Sequence, residues 1–361
     1  MLDTPSVQRL LAGAIDCDIH PTVPNMDALL PFLDGHWADA VRERGIGAMQ
    51  LASYPPRAPF SVRADWREDG AAPASTIAQI RRDVLDRWQL RYAICNCLFG
   101  VQLPFSEDMG AAFARAVNCW IAVRFLDEEP RLRASIVIAP QNVELAVAEI
   151  ERCAADRRFV QILLLAMGDR PLGSRSYWPI YEAAQRHDLP IGIHAGSSFR
   201  HAPTSVGWPS YFYEDYGNQP QGFQGQLASM ICEGIFTRFR DLRVVLIESG
   251  VTWLPAFLWR LTKLWKGVRT EIPWVDQSPD EIVRTHVRLT AQPFDAPADP
   301  QIVARMLEHL GGDDLLLFAS DYPHWQFAGD DALPPGFPAS LHHKLLLANA
   351  SATYRRLEIE P

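Results

Sequence analysis

The sequence lacks features that mark several classes of protein. It has no Cys-X-X-Cys pair, which argues against a thiolate zinc site. No apolar run approaches the ~18 residues that a membrane span needs, and the N-terminal segment lacks the apolar core of a signal peptide. We therefore expect a cytoplasmic protein that does not bind membranes, with reduced and mostly buried cysteines. The six cysteines are Cys17, Cys95, Cys97, Cys119, Cys153 and Cys232.

Positive charge is also scarce. The chain of 361 residues has 34 Lys and Arg against 43 Asp and Glu, a formal net charge of −9. This balance argues against a general nucleic-acid binder, which needs a basic surface. The hydrophobic content of 48% excludes intrinsic disorder. We expect a globular protein with a large core and a small molecule as its partner.

Short β-branched runs alternate with longer amphipathic stretches along almost the whole chain. The runs are nearly continuously apolar, which is typical of parallel strands covered on both faces. Eight such strands with helices between them predict an α/β fold, a (β/α)8 TIM barrel, with a doubly wound open sheet as the alternative. The predicted strands are Ala14–Asp18, Tyr92–Leu98, Leu132–Ile138, Phe159–Leu165, Pro190–His194, Leu242–Glu248, Val287–Thr290 and Leu315–Ser320.

Two long segments interrupt this alternation. Pro21–Ala74 follows the first predicted strand, and Ser197–Gln226 follows the fifth. Loops after the strands of a barrel lie over its mouth, and the aromatic content of these two favours ordered, lid-like covers. Because we find no repeat and no interdomain linker, we predict one domain over residues 1–361.

Three predicted strands end in side chains that bind metals. The first strand, in AIDCDIHP, places Asp18 and His20 two residues apart and therefore on one face. The fifth ends at His194 and the eighth at Asp321. The carboxyl ends of barrel strands converge on one mouth, and mixed imidazole and carboxylate ligands suit Zn, Fe or Mn. We predict a divalent transition-metal site, with one metal and room for a second.

Further ionisable groups are expected at the same mouth. Glu248 ends the sixth strand, and His324 follows Asp321 by three residues. A carboxylate beside a cation stays ionised, so Asp321 can accept a proton from water activated by the metal. We predict Asp321, Glu248 and His324 as catalytic residues. Weaker candidates for the pocket, chosen for their side-chain chemistry, are Tyr54, Arg57, Arg63, His201, Trp208, Tyr211 and Trp325.

The motifs IDCDIHP, YWPIYEAAQRHDLPIGIHAG, LRVVLIESGVTWLP and FASDYPHW extend over nearly the whole chain. With them the sequence resembles the amidohydrolase superfamily, in the branch of aminocarboxymuconate-semialdehyde and resorcylate decarboxylases. The resemblance implies that Asp18 and His20 are the paired ligands of the first strand and that His194 is the ligand of the fifth. It also implies that Asp321 binds the metal and moves a proton.

One position departs from this branch. Its decarboxylases carry a catalytic His shortly before a Leu-Pro or Phe-Pro pair, and the corresponding residue here is Ser249, preceded by Glu248. A serine cannot replace imidazole as a general acid at neutral pH. We therefore expect a metal-dependent hydrolase of a small carboxylate or amide, with C–C lyase chemistry as the close alternative.

The motifs GWPSY and DYPHW point to a narrower resemblance, to a clade with members similar to 2-aminoisobutyrate hydroxylase. That resemblance implies a second alternative, a dinuclear Fe/Mn monooxygenase or the metal-binding partner subunit of one. The third alternative is a barrel that keeps the fold and has lost catalytic activity. Apolar side chains on the outer helices, such as Trp259 and Trp265, predict a homo-oligomer or a hetero-oligomer with a paralogous chain.

Overall fold

The computed structural model contains one sheet of eight parallel strands in chain order, β1 to β8. It describes residues 4–47, 49, 62–68, 70–324 and 333–358. Helices lie between the strands, so the predicted (β/α)8 barrel is confirmed. The strands are β1 Ile15–Ile19, β2 Tyr92–Cys95, β3 Leu132–Val137, β4 Phe159–Met167, β5 Ile191–Ser197, β6 Val244–Ile247, β7 Val287–Thr290 and β8 Leu316–Leu317.

The helices form the outer layer, and their ends carry sequence-encoded caps. The side chain of Ser106 accepts from the N–H of Met109 and starts α4, and Asn142 does the same for α5 through Leu145. The helices are α1 Thr4–Leu11, α2 Gly35–Arg44, α3 Ile77–Ile80, α4 Glu107–Ile121, α5 Val143–Ala154, α6 Trp178–Arg186, α7 Phe212–Cys232, α8 Ile235–Arg238, α9 Leu254–Val268, α10 Pro279–His286, α11 Pro300–Leu310 and α12 Asn349–Thr353.

Backbone hydrogen bonds bring the last strand back to the first. The N–H of Cys17 donates to the carbonyl of Phe318 at 2.9 Å, and that of His20 donates to Tyr322 at 2.8 Å. In return the N–H of Asp321 donates to the carbonyl of Asp18 at 3.0 Å. This closure places the carboxyl ends of β1 and β8 side by side.

The core lies inside the barrel and between the sheet and its helices. Every residue of β1, β4 and β6 is buried, as continuous apolar runs predict for strands covered on both faces. One helical segment, Glu107–Leu126, is long and apolar enough to cross a membrane by length and composition. More than half of it is buried against the rest of the chain, and the core helix of a globular protein passes the same test.

The predicted loop Ser197–Gln226 is wrong in its second half, because α7 begins at Phe212. Glu214 caps the first turn of this helix, because its Oε2 accepts from the backbone N–H groups of Ser210 and Tyr211. The sequence does not predict this helix, because glycines and Pro220 interrupt its apolar pattern and a proline inside a helix removes a hydrogen bond. Packing outweighs this cost: Phe223, Leu227, Met230 and Ile231 are buried on the barrel. The predicted lid Pro21–Ala74 likewise contains α2.

The two tryptophans behind the oligomer prediction differ in their surroundings. Trp259 is 58% exposed, whereas Trp265 is half-buried and packs against the core. The expectation that Trp265 is an exposed apolar residue is therefore wrong, because α9 turns it toward the core. Oligomerisation stays a prediction.

Candidate metal centre

Asp18 and His20 lie at the end of β1, with both side chains buried. Because side chains alternate along a strand, their two-residue spacing aims both into the barrel. His20 Nε2 lies 3.2 Å from Asp18 Oδ1. His20 Nδ1 lies 2.8 Å from the carbonyl oxygen of Asn96, which can only accept, so this nitrogen carries the proton. The bond fixes the ring with Nε2 toward the mouth.

His194 comes from β5 on the opposite side of the mouth and is fully buried. Its Nδ1 donates to the carbonyl of Ala195 at 2.6 Å. Its Nε2 therefore faces the carboxylates, 3.5 Å from Asp18 Oδ2 and 3.6 Å from Glu248 Oε2. The rings of His20 and His194 meet edge to face with centroids 4.9 Å apart.

Asp321 completes the cluster at the end of β8. Its backbone has a φ of 55°, a left-handed conformation that is costly for a residue with a side chain and is found at functional sites. Asp321 Oδ1 lies 2.9 Å from His20 Nε2 and 2.6 Å from His324 Nδ1. The ring of His324 stacks on that of His20, 4.6 Å between centroids.

The arrangement has the chemistry of a divalent transition-metal site. The described residues include two groups whose potential ligand atoms lie within 4.8 Å of one another inside each group. One group is Asp18, His20 and His194, and the other is His20, Asp321 and His324. Asp18 Oδ2, His194 Nε2 and Asp321 Oδ2 are buried and find no hydrogen-bond partner among the described residues. A buried polar atom without a partner is costly, and a cation bound by the group of Asp18, His20 and His194 would give Asp18 Oδ2 and His194 Nε2 a partner.

The charges of the cluster are strongly coupled. Burial opposes ionisation of Asp18, but His20 and then His194 outweigh it and lower the pKa of this carboxyl. Burial also opposes the charged form of His20, but Asp18 and then Asp321 raise its pKa well above the ordinary value. The pKa of Asp321 is likewise lowered against burial, by His324 and His20. Both aspartates are therefore ionised, as metal ligands must be.

Glu248 differs from these aspartates. It ends β6 with a φ of 58°, and this left-handed turn brings its carboxyl beside His194. Burial, followed by repulsion from Asp321 and Asp18, raises its pKa well above the ordinary value. Ser249, by contrast, donates its hydroxyl to the carbonyl of Gly250 at 2.8 Å. At the end of β6, the carboxyl of Glu248 therefore faces His194, whereas the hydroxyl of Ser249 bonds within the turn.

Several weaker candidates lie apart from the ligand cluster. Both ring nitrogens of His201 face carbonyl oxygens, those of Ala202 and Gly168. Arg63 pairs with Asp65, although the neighbouring Val62 bridges to His324 and so brings this segment to the mouth. Trp208 and Tyr211 are exposed. The candidates that fall outside the described residues are Tyr54, Arg57 and Trp325.

Two further buried residues lie beside the candidate ligands, and the sequence analysis of the site missed Asn96. Asn96, after β2, donates from Nδ2 to Asp18 Oδ1 at 2.8 Å and accepts from His20 through its carbonyl. Asp16 lies one layer deeper, where its Oδ1 accepts from the N–H groups of Asp18 and Ser320. Burial raises the pKa of Asp16 to about 7. A polar residue inside a buried strand run was the available signal for Asn96.

The family model described as amidohydrolase matches residues 15–356. The chain belongs to the amidohydrolase family. A curated relative, the gamma-resorcylate decarboxylase of Polaromonas sp. (strain JS666 / ATCC BAA-500), is 23% identical over 219 residues, which are 58% of this chain and 65% of the relative. The match thus spans less than two thirds of that relative.

Solved structures share the fold of this amidohydrolase. An amidohydrolase from Mycobacterium avium subsp. paratuberculosis superposes with a TM-score of 0.70 at 22% identity, covering 95% of this chain and 99% of the other. The 5-carboxyvanillate decarboxylase of Sphingomonas paucimobilis gives 0.67 at 20% identity, with 95% and 99% covered. A dihydroxybenzoic acid decarboxylase from Polaromonas sp. JS666, with bound manganese and 2-nitroresorcinol, gives 0.67 at 18% identity, with 95% and 97% covered.

These relatives confirm the resemblance to the decarboxylase branch. The manganese-bound neighbour and the ligand groups above together support the predicted divalent transition-metal cofactor. None of these relatives is an oxygenase by name, so the narrower resemblance to a hydroxylase clade stays a prediction.

Proposed function

We propose that this amidohydrolase is a metal-dependent C–C lyase that decarboxylates a small carboxylic acid, with one metal held by Asp18, His20, His194 and Asp321. The observation that carries the metal site is the buried group of Asp18, His20 and His194, whose ligand atoms lie within 4.8 Å of one another; Asp18 Oδ2 and His194 Nε2 have no hydrogen-bond partner among the described residues. The decarboxylases among its relatives support the reaction class. A small organic acid is the class of substrate that such enzymes take.

The metal and the residues around it would have different roles in the reaction. A bound divalent metal would supply a Lewis acid that orients and polarises an oxygen of the substrate. Asp321, ionised beside two histidines, would hold or accept a proton, and His324 keeps it in place through its Nδ1. Glu248, whose pKa burial and the neighbouring carboxylates raise, would deliver a proton to the carbon that loses CO2.

The cluster favours one metal over two. Both candidate groups include His20, whose Nδ1 is already bonded to the carbonyl of Asn96. Only Nε2 remains as a ligand, and one lone pair serves one ion. Two ions would therefore leave one of the groups with only two ligands, one aspartate and one histidine.

Hydrolysis is the second candidate, because the site contains a pair of carboxyl groups with opposite pKa shifts. In amide hydrolysis Asp321 would accept the proton of the attacking water, and Glu248 would give a proton to the leaving amine. Ser249 takes part in neither scheme, since its hydroxyl is used in the turn.

A substrate panel separates these reactions. The chain, stripped of metal by a chelator and reloaded with Mn²⁺, is incubated with aromatic and unsaturated carboxylic acids and, separately, with small amides. We expect CO2 release from at least one acid and no amine release. Amine release alone would assign hydrolysis, and dioxygen uptake with either set would favour the oxygenase alternative, which stays a prediction.

A further inference from the structure

A chain of buried hydrogen bonds runs from Asp18 through the barrel interior. Asn96 Nδ2 donates to Asp18 Oδ1 at 2.8 Å, and Ser135 Oγ donates to Asn96 Oδ1 at 2.5 Å. Gln161 Nε2 donates to Ser135 Oγ at 2.8 Å, and Tyr354 donates its hydroxyl to Gln161 Oε1 at 3.0 Å. The chain thus joins β1, β2, β3 and β4 to the segment after α12.

In every hydrogen bond of this series, the donor is the residue farther from Asp18 and the acceptor is the nearer one. A carboxylate only accepts, so Asn96 must present its NH2 to Asp18 and its oxygen to Ser135. Gln161 must in turn present its NH2 to Ser135 and its oxygen to Tyr354. The orientation of both amides is therefore fixed at one end by Asp18 and at the other by the hydroxyl of Tyr354.

The fold reserves space for this chain. All four members are completely or almost completely buried, so water cannot replace a missing partner without a cavity. A Cβ on Gly192 would lie 2.5 Å from Gln161 Cδ and Nε2, which explains a glycine in the middle of β5. Asn96 also contacts the second ligand of β1, because its carbonyl accepts from His20 Nδ1.

We propose that Asn96, Ser135, Gln161 and Tyr354 form a positioning chain that sets the metal affinity of the centre. The donor from Asn96 engages Asp18 Oδ1 and holds the carboxylate so that Oδ2, which has no partner among the described residues, faces His194. Removing any link frees an amide to rotate and loosens Asp18. The inference rests on the metal site of the proposed function.

The test is the affinity of the chelator-stripped full chain for Mn²⁺, measured by calorimetric titration. For Asn96→Ala we expect affinity to fall about 10- to 100-fold, as for other partners of metal ligands. Ser135→Ala and Tyr354→Phe, further from the metal, should each lower affinity by about 3- to 10-fold, less than a direct partner of a ligand does.

Two matched variants control for loss of a buried polar group elsewhere. Asn118 is as buried as Asn96, but its amide joins Val137 and Glu149 between the sheet and α5. Tyr181 is as buried as Tyr354 and donates to the carbonyl of Leu172. Asn118→Ala and Tyr181→Phe should lower the melting temperature about as much as their counterparts and leave Mn²⁺ affinity unchanged.

The outcomes separate this inference from the metal site itself. Weaker Mn²⁺ binding in the chain variants alone supports it, and Tyr354→Phe decides if Asn96→Ala does not fold. If the parent binds Mn²⁺ and all variants bind equally, the positioning chain is wrong and the metal site stands. A parent that binds no Mn²⁺ overturns both.

Discussion

Two acidic residues show how strand-end geometry assigns chemical roles. Glu248 and Asp321 each follow a strand and each have a left-handed φ, 58° and 55°. Such a backbone is costly for residues other than glycine, and here it turns both carboxyl groups toward the ligand cluster. Their pKa shifts are opposite: burial, assisted by repulsion from Asp321 and Asp18, raises the pKa of Glu248, whereas His324 and His20 outweigh burial and lower that of Asp321. These shifts support the proposed roles of Asp321 as base and Glu248 as acid.

The variant Glu248→Gln tests the proposed role of Glu248 as the proton donor. The amide keeps the shape of the side chain and cannot deliver a proton, so we expect turnover to fall about 10²- to 10⁴-fold. Mn²⁺ content should stay at the parent value, as measured by elemental analysis of the purified protein. Ser249→Ala is the matched control and should keep full activity; equal losses in both variants would remove Glu248 from the mechanism.

The sequence predicted the ligand candidates better than their surroundings. Asp18, His20, His194 and Asp321 stand at strand ends, where barrel topology alone brings them together. Asn96 could not be assigned, because its role depends on the register between β1 and β2 and on a carbonyl that only the fold places near His20. The sequence predicted Glu248 at the same mouth, but it did not show that the hydroxyl of Ser249 bonds within the turn.

At the scale of elements, packing overrides local propensity. Helix α7 contains Pro220 and several glycines, so the sequence indicates a loop where the structure has a helix of 21 residues. The glycines have a use: a Cβ on Gly222 would lie 3.2 Å from Met167 Cγ, so glycine lets α7 approach β4 closely. Strands were easier to predict, because short β-branched apolar runs alternate with longer amphipathic stretches along the chain.

An ion-pair cluster links α4 to β3 and makes stability depend on pH. Hydrogen bonds from Arg131, opposed by burial and assisted by Arg81, lower the pKa of Glu129 from 4.5 to about 2. A lowered pKa stabilises the fold when the pH is above the unfolded value, and this contribution is lost as pH falls toward 2. We expect Glu129→Gln to cost about 1–2 kcal/mol near neutral pH, less than the full shift implies because both arginines are partly solvated.

Denaturant unfolding at several pH values checks this expectation. The difference in unfolding free energy between parent and Glu129→Gln should be constant above about pH 5 and shrink steadily below pH 4.5. Asp65→Asn, which removes an exposed partner of Arg63, serves as a comparison and should cost less. A difference that is independent of pH down to 2.5 would refute the role given to Glu129.

At the scale of the whole molecule, closure of the barrel creates the site. Its proposed ligands come from the ends of β1, β5 and β8, and a backbone hydrogen bond from Asp321 to Asp18 helps to join the two ends of the sheet. Sequence periodicity predicts eight strands but not their closure, which depends on accumulated twist and register. Substrate identity is harder still, because the loops over the mouth determine it and periodicity does not position loops.

Metal removal should weaken the whole fold, since Asp18 Oδ2 and His194 Nε2 then lack a partner among the described residues. An ion at 100 times its dissociation constant stabilises a protein by about 2.7 kcal/mol. We therefore expect chelation to lower the melting temperature by several degrees and Mn²⁺ to restore it, as scanning calorimetry can show. Ca²⁺ should restore less, because imidazole ligands suit transition metals better than calcium.

The central claim is a single metal bound by Asp18, His20, His194 and Asp321, and metal stoichiometry tests it most directly. Elemental analysis of the stripped and reloaded chain should give one Mn²⁺ per chain. His194→Ala, which keeps its fold by circular dichroism, should bind little or none. Equal binding by parent and variant, or two ions per parent chain, would contradict the claim.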